Sequence, residues 1–501
     1  MVNVKDSRPV DEKTDRQYRQ IVKYTSFFGG VQGLNILAAL VRNKIAAVLL
    51  GPAGLGLISL YNTAVKFVGD TTSLGVPVSS VKYISEIADD GARRQMVANV
   101  RLWSLLTAAL GFVVCCVFAP LLSATYFDTT ANWTNFLWLA PVVALTALTA
   151  GELSILKGLH RMREVAVQSV ANALLCLAVT LPFFWAFGFD GILPALLAAA
   201  VVAMVSVAWL SLRAVAYRLP TSPRKAIAAG GGIVRLGVAF VIAGALGSGV
   251  ELAIRAFIAH SGTIADVGLY NSGYVITVTY ASIVFMSMET DYFPRLSAVN
   301  HDVEKSNQTV NRQMEVSVLL LAPLLVAFML ALPIVIPMLY SSTFLPALGM
   351  VRFGVVAMML RAVMLPMEYM SLAKGRSWIY LLSEAVYDVM AVAAVVGGYV
   401  LWGIDGAGAG LLVAGAVNCV VDLAICRHFY DYRLGTKAAM IFAVQMLAVV
   451  GAYAVATWCD GVAYWLLGAL TLGVSALISY RKLEKEAGVV TAVIAKFKRK
   501  R

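Results

Sequence analysis

The sequence predicts an all-α polytopic membrane protein of about fourteen transmembrane helices, built as two pseudo-symmetric six-helix lobes plus two C-terminal helices. Three observations predict it: long apolar runs, a one-sided distribution of lysine and arginine, and a weak internal duplication.

The runs come first. Of the 501 residues, 60% are hydrophobic and only 14% charged, with a mean hydropathy of +0.79. Apolar stretches lie at about 22–50, 54–81, 99–125, 133–156, 165–188, 191–217, 233–260, 266–292, 313–340, 344–372, 379–402, 406–426, 437–458 and 461–480. Each reaches the ~20 residues that a helix needs to cross a bilayer. Residues 1–20 are polar, so no cleavable leader is expected and the first span inserts directly.

Charge orients the spans. Alternate gaps, at 51–53, 126–132, 189–190, 261–265, 341–343, 403–405 and 459–460, contain no Lys or Arg, whereas every opposite gap and both tails carry them. Positive charge is retained on the cytoplasmic side. A wrong number of spans would scramble this alternation, so it tests spans and orientation together. Both termini are expected to be cytoplasmic. Topology also accounts for the net charge of +12, which needs no nucleic-acid partner.

The duplication sets the domains. Arg42 with Leu60-Tyr61-Asn62 recurs as Arg255 with Leu269-Tyr270-Asn271. Glu152 to Lys157-Gly158 recurs as Glu368 to Lys374-Gly375, and Gly188-Phe189-Asp190-Gly191 as Gly403-Ile404-Asp405-Gly406. Four matches at offsets of 209 to 217 span six helices, so both copies enter the membrane the same way, as in transporters built from parallel repeats. The expected order is a cytoplasmic N-terminal segment (1–21), an N-lobe (22–218), a cytoplasmic linker (219–232), a C-lobe (233–430), two extra spans (437–480) and a basic cytoplasmic tail (481–501). The tail reads equally as an interfacial helix on anionic lipid or as a solvated end. Gly244, Gly247, Gly249, Gly406 and Gly410 suit close helix packing, and Pro77 after Gly75 suits a bend.

Cysteines and histidines carry no site. Cys115, Cys116, Cys176, Cys419 and Cys426 lie inside apolar runs, and Cys459 stands without a nearby partner. His160, His260, His301 and His428 are scattered with no metal-ligand spacing. No metal, cofactor or catalytic group is expected, and the short outer gaps leave little room for an enzyme's acid or base.

Charge inside the spans is the functional signal. Arg42, Lys44, Lys66, Arg255, Arg352 and Arg361 fall within apolar runs, and Lys66 lies about 18 Å from the outer end of its helix. Against lipid such a charge costs ~2.5–3.5 kcal/mol or more, so the six predict a water-filled cationic cavity for an anionic substrate such as a diphosphate. Arg42 and Arg255 would clamp it from both copies. Asp70, one turn from Lys66, and Glu251, one turn from Arg255, are candidates for ion coupling or charge pairing, with Asp70 expected to neutralise Lys66. Arg101 is expected to snorkel, and Glu152 to be solvated near an inner helix end.

The run Lys44-Ile-Ala-Ala-Val-Leu-Leu-Gly51-Pro52-Ala53-Gly54-Leu55-Gly56-Leu57, followed by Val81-Lys82-Tyr83-Ile84, resembles the start of the polysaccharide-lipid (Wzx) flippases, including the O-antigen and lipid III types, of the multidrug/oligosaccharidyl-lipid/polysaccharide (MOP) exporter superfamily. The turns at Lys157-Gly158 and Lys374-Gly375-Arg376 are similar too, and the resemblance covers about 20–430. It implies export of an undecaprenyl-pyrophosphate-linked oligosaccharide across a bacterial cytoplasmic (inner) membrane for O-antigen, lipopolysaccharide or other surface polysaccharide. It further implies two lobes in a V, alternating access, and work alongside polysaccharide polymerase and assembly proteins, with a monomer sufficient. The second half replaces the Gly-Pro turn by His260-Ser261-Gly262-Thr263, and the two extra spans resemble the lipid II flippases of the superfamily. Alternatives are a drug or metabolite antiporter, a membrane-embedded polymerase or transferase, and a non-transporting scaffold.

Overall fold

The computed structural model describes residues 12–127, 132–220, 231–279, 285 and 291–487. The outer parts of the N-terminal segment and basic tail, and most of the 219–232 linker, lie outside the described residues. The elements are α1 (Glu12–Thr72), α2 (Val76–Glu86), α3 (Asp90–Phe127), α4 (Trp133–Leu137), α5 (Leu139–Gly158), α6 (Met162–Phe187), α7 (Ile192–Ala214), α8 (Gly231–Ser261), α9 (Ile264–Tyr274), α10 (Val303–Leu339), α11 (Leu348–Ala373), α12 (Ser377–Tyr430), α13 (Thr436–Trp458) and α14 (Gly461–Ala487). The described residues contain no strand, as expected where every backbone polar group must be satisfied within its own segment.

Ten helical stretches among the described residues are long and apolar enough to cross a membrane. Three of them exceed one crossing: Gly30–Thr72, Met162–Ala214 and Ser377–Tyr430 run for 43, 53 and 54 residues. At 1.5 Å per residue the shortest is about 65 Å long, twice the ~30 Å hydrocarbon core. Each breaks at a glycine: Gly51 (φ 64°, ψ −169°), Gly188 (φ 57°, ψ −125°) and Gly403 (φ 62°, ψ −140°). This pairing of positive φ with extended ψ is essentially closed to a residue bearing Cβ, so these glycines are what allow the chain to reverse. Gly51 and Gly403 open gaps that lack lysine and arginine, and Gly188 immediately precedes one. The expected span 266–292 is described only in part.

The duplication is visible in these turns. Gly188 and Gly403, at an offset of 215, make the same break. After α5, Leu159, His160 and Arg161 donate to the carbonyls of Ile155, Lys157 and Leu156; after α11, Lys374, Gly375 and Arg376 donate to those of Met370, Leu372 and Ser371. The positive-φ residue is His160 (φ 56°) in the first turn and Gly375 (φ 70°) in the second, again 215 apart. The sequence match of Gly158 with Gly375 is therefore two residues out of register: Gly158 ends α5 as a helical residue packed on Ile84.

The chain forms two compact units. The first comprises Met1–Leu49, Val68–Ala119 and Thr134–Val241; the second comprises Leu50–Phe67, Pro120–Trp133 and Ile242–Arg501. In the first unit α1 stops at Thr72 and the chain turns through Ser73, Leu74 and Gly75 (φ 67°), restarting as α2 with Pro77 in its first turn. This is the bend that Gly75 and Pro77 predict. Val76, Ile84, Val97, Val100 and Ile155 form a core there between α2, α3 and α5, and α6 and α7 pack as an antiparallel pair.

Arg101 and Glu152 depart from expectation. Arg101 is 2% exposed, and its Nε donates to Glu152 Oε1 at 3.0 Å while its terminal nitrogens donate to Glu152 Oε2, Ser211 Oγ and the carbonyls of Val215 and Ala216. The arginine does not snorkel and the glutamate is not solvated. They form a buried rivet between α3, α5 and α7.

In the second unit α11 packs along α12, and α10 lies against α11, α13 and α14. The last two helices are bound to it: Tyr464 donates to the Leu330 carbonyl at 2.7 Å, while Gln445 donates to Ser479 Oγ and accepts from Ser475. Where α1 meets α9, a Cβ on Gly56 would stand 2.0 Å from the Ile264 carbonyl oxygen, so only glycine permits this approach. Gly406 and Gly410 are similarly tight, whereas Gly247 faces open space; close packing explains the first two and not the third. Trp185, Trp458, Val462 and Leu447 are largely exposed, as befits side chains whose solvent is lipid.

Candidate functional site

The second unit gathers charge within its membrane helices. Lys66, on the part of α1 beyond Gly51, places Nζ 2.8 Å from Glu251 Oε1 on α8. Four residues along α8, Arg255 lies with Nη1 3.5 Å from Glu251 Oε2. Glu251 thus bridges two cations and confirms its i,i+4 pairing with Arg255. The structure pairs Lys66 with a carboxylate on another helix, which a reading along α1 alone does not anticipate. Asp70 is half-buried and its backbone carbonyl accepts from Ser73 Oγ.

Arg255 and Lys66 differ in what they have left to give. Arg255 is buried; Nε donates to Ser59 Oγ (2.9 Å), Nη1 to the Glu251 carbonyl (3.2 Å) and Nη2 to Asn271 Oδ1 (3.2 Å). Its guanidinium also lies 5.5 Å from the Tyr274 ring centroid and 5.9 Å from that of Tyr270. It therefore ties α1, α8 and α9 together with most of its donors. The Lys66 side chain is 50% exposed, and an ammonium has three donors, so Lys66 is the better placed of the two to meet a ligand.

A second cluster follows on α11 and α12. Arg361 faces the carboxylates of Glu368 and Glu384 and the hydroxyls of Tyr387 and Tyr274; its Nε is buried without a hydrogen-bond partner. It lines a cavity of about 30 Å³ with Thr277, Val278, Tyr387 and Gly415, beside the π-helical turn Val275–Thr279. Asp388 lies close to both Glu384 and Glu251. Asp422, 2% exposed, accepts from Ser383 Oγ and from Asn418 Nδ2 and lies against Glu368. Around Lys66, Arg255 and Arg361 the second unit thus also places Glu251, Glu368, Glu384, Asp388 and Asp422, a mixed-charge network.

The remaining candidates lie apart. Arg352, nine residues before Arg361 on α11, is about 13 Å away along the helix and faces Tyr464, Tyr453 and Asp405; it belongs to the contact with α13 and α14. Arg42 and Lys44 lie in the first unit, Arg42 exposed near Cys176 and Lys44 half-buried. Lys44 is seven residues before the break at Gly51, and Arg255 is six before the end of α8 at Ser261. Lys44, rather than Arg42, is thus the depth equivalent of Arg255. Among the described residues no group of three or more His, Cys, Asp or Glu side chains could hold a metal ion. Sequence reasoning left Ser59, Asn271, Tyr274, Ser383 and Asn418 out of the site; only the Tyr270-Asn271 repeat motif pointed toward any of them.

Residues 21–300 match the family described as polysaccharide biosynthesis protein. The chain belongs to that family. Its membership bears out the resemblance carried by residues 44–57 and 81–84. No protein of curated function matches the chain. Among solved structures, the lipid II flippase MurJ in an inward closed conformation is similar at 12% identity, covering 91% of this chain and 99% of its own with a TM-score of 0.68. An inward-facing multidrug resistance MATE family transporter of the MOP superfamily follows at 16% identity, with 82% and 95% covered and a TM-score of 0.64. A MATE transporter of Vibrio cholerae shares 15%, with 81% and 98% covered and a TM-score of 0.53. At these identities the likeness is one of fold. This family member is a multi-pass membrane protein with a MOP-superfamily fold.

Proposed function

We propose that this protein is a flippase that carries undecaprenyl-pyrophosphate-linked oligosaccharide from the inner to the outer leaflet of a bacterial cytoplasmic membrane, by alternating access of an N-lobe (22–218) and a C-lobe (233–430). One observation carries the reading: a polysaccharide-biosynthesis family member places Lys66, Glu251 and Arg255 in contact inside membrane helices and leaves the Lys66 side chain half-exposed, where charge against lipid would be costly. The two lobes are supported by the repeated turns at Gly188 and Gly403. Both termini lie in the cytoplasm, as the lysine and arginine bias indicates.

In this mechanism the pyrophosphate approaches Lys66, and Arg42 and Lys44 are further cationic candidates to meet it. It competes with Glu251 for the ammonium. Differential affinity of this kind is what lets a ligand shift a two-state equilibrium. The prenyl tail remains in lipid. The glycan is of the class used for O-antigen or other surface polysaccharide, and a polymerase is the natural recipient of the product.

The experiment is the sidedness of lipid-linked oligosaccharide in cells depleted of the protein. Cytoplasmic-face accumulation, reversed by the native chain and about tenfold less by Lys66→Ala or Arg42→Ala, supports the proposal; one lost charge-assisted hydrogen bond is worth ~1.5–3 kcal/mol. Unchanged sidedness refutes it. The carboxylate excess around Arg361 favours a second reading, antiport of a cationic small molecule, and dye efflux dependent on Asp388 with normal lipid sidedness would establish that instead.

A further inference from the structure

A groove of about 640 Å³ opens in the second unit between the first turns of α10 and the connection from α12 to α13, lined by Glu304, Asn307, Gln308, Asn311, Arg312, Glu315, Arg433, Gly435 and Lys437. Its floor is built. Asn311 Nδ2 donates to the carbonyls of Asn307 and Arg433, and Asn311 Oδ1 accepts from the Gly435 amide and from the hydroxyl of buried Tyr432. The two acids are engaged: Glu315 Oε2 lies 3.2 Å from Lys437 Nζ, and Glu304 accepts from Gln308 at 3.0 Å.

Three groups are left over. Arg312 and Arg433 are exposed, and neither guanidinium has an ion-pair partner among the described residues. Asn307 is 7% exposed, and while its Nδ2 donates to the Asp431 carbonyl, its Oδ1 is buried with no hydrogen-bond partner. An unmet buried acceptor costs free energy. The site therefore asks for a phosphate, which two guanidinia hold well, and for a neighbouring N–H or O–H that reaches Asn307 Oδ1.

We infer that this groove binds the headgroup of a bilayer phospholipid whose phosphodiester carries a hydrogen-bond donor, as in phosphatidylethanolamine or phosphatidylglycerol. The groove lies at the end of α10 where the gaps are rich in lysine and arginine, so the lipid belongs to the inner leaflet. That side rests on the proposed orientation; the binding itself does not, and it stands or falls independently of flipping. The lipid would seat α13 against α10 at the place where the two extra helices join the second unit.

The test uses the full chain purified in detergent, with equal amounts of phosphatidylethanolamine, phosphatidylglycerol and phosphatidylcholine added and retained lipid read by native mass spectrometry. Phosphatidylcholine has the phosphate but no donor. The first two should be retained about tenfold more than the third, the worth of one hydrogen bond to a buried acceptor. Arg312→Gln with Arg433→Gln should abolish retention of all three at this site; both side chains are exposed, and either single substitution serves if the pair does not fold. Equal retention of phosphatidylcholine overturns the role of Asn307. Undiminished retention by the double variant overturns the site. Displacement of the lipid by millimolar inorganic phosphate alone would make free phosphate the ligand and overturn the lipid assignment.

Discussion

Removing Arg101 should destabilise the first unit more than removing any exposed arginine. The side chain is 2% exposed and its Glu152 partner 8%, so Arg101→Ala strands a carboxylate whose remaining partner is the Ser211 hydroxyl. Breaking a buried pair from one side costs ~3–5 kcal/mol. Loss of the contacts to the Val215 and Ala216 carbonyls adds ~0.3–1 kcal/mol for a cation near the C-terminus of α7. The control is Arg161→Ala, whose partner Glu164 lies in a pair exposed by 51% and 30% and worth ~0–1 kcal/mol. Unfolding of the purified chain in detergent, followed by tryptophan fluorescence, reads both. The double variant Arg101→Met/Glu152→Leu removes the orphaned charge and should recover most of the loss. The reasoning fails if Arg101→Ala is no worse than Arg161→Ala, or if the double variant is less stable than Arg101→Ala alone.

Other outcomes follow from single positions. His160→Gly should stabilise by ~1 kcal/mol, because His160 holds the left-handed φ that Gly375 holds in the equivalent turn; a lower unfolding midpoint would contradict this. Gly403→Ala should cost ~1–3 kcal/mol by closing the backbone region the break needs, seen as reduced yield of folded protein, whereas Gly247→Ala, with open space around it, should be nearly neutral. Asp302 caps α10: the Lys305 amide donates to its Oδ1 at 3.0 Å and the Lys305 ammonium lies 3.0 Å from Oδ2. These contacts, the backbone one foremost, hold its carboxyl below the usual carboxylate range. A depressed carboxyl stabilises the folded helix start above its ordinary value and loses that contribution as pH falls through the folded one. Hydrogen exchange at Lys305 should accelerate in that acid window, and Asp302→Asn should remove the pH dependence.

What the sequence made legible were features local to one stretch of chain. Apolar length and charge bias gave the helices, and the breaks at Gly51, Gly188 and Gly403 fall where lysine and arginine are missing. The bend at Gly75-Pro77 was legible for the same reason, since glycine at positive φ and proline in a first helical turn are conformational facts about single residues. What escaped were pairings across helices. Lys66 and Glu251 are 185 residues apart and Arg101 and Glu152 are 51 apart. No periodicity encodes which face of one helix meets which face of another. Arg352 was grouped with Arg361 because both interrupt one apolar run, yet nine residues of helix carry them to different neighbours. The two-residue error at Gly158 has a different origin: the second copy uses glycine where the first strains a histidine, so identity misled and backbone geometry decided.

The two copies have kept their turns and exchanged their polar contents. Arg101 and Glu152 correspond, at the 215-residue offset of the turns, to Val316 and Met367, so the buried rivet of the first unit has no counterpart. In its place the second unit holds Asp422 with Ser383 and Asn418, and Arg361 with an unbonded Nε. A guanidinium that has spent its donors on carbonyls and a carboxylate fixes helices. One with an unmet buried donor among several carboxylates has more than one arrangement within reach. If transport proceeds by exchange of charge partners, as proposed for Lys66 and Glu251, the exchange belongs to the second unit, where both residues lie. Loss of Arg101 should then lower stability, while Lys66→Met, at a half-exposed side chain whose partner Glu251 keeps Arg255, should impair transport in a protein whose unfolding midpoint is little changed.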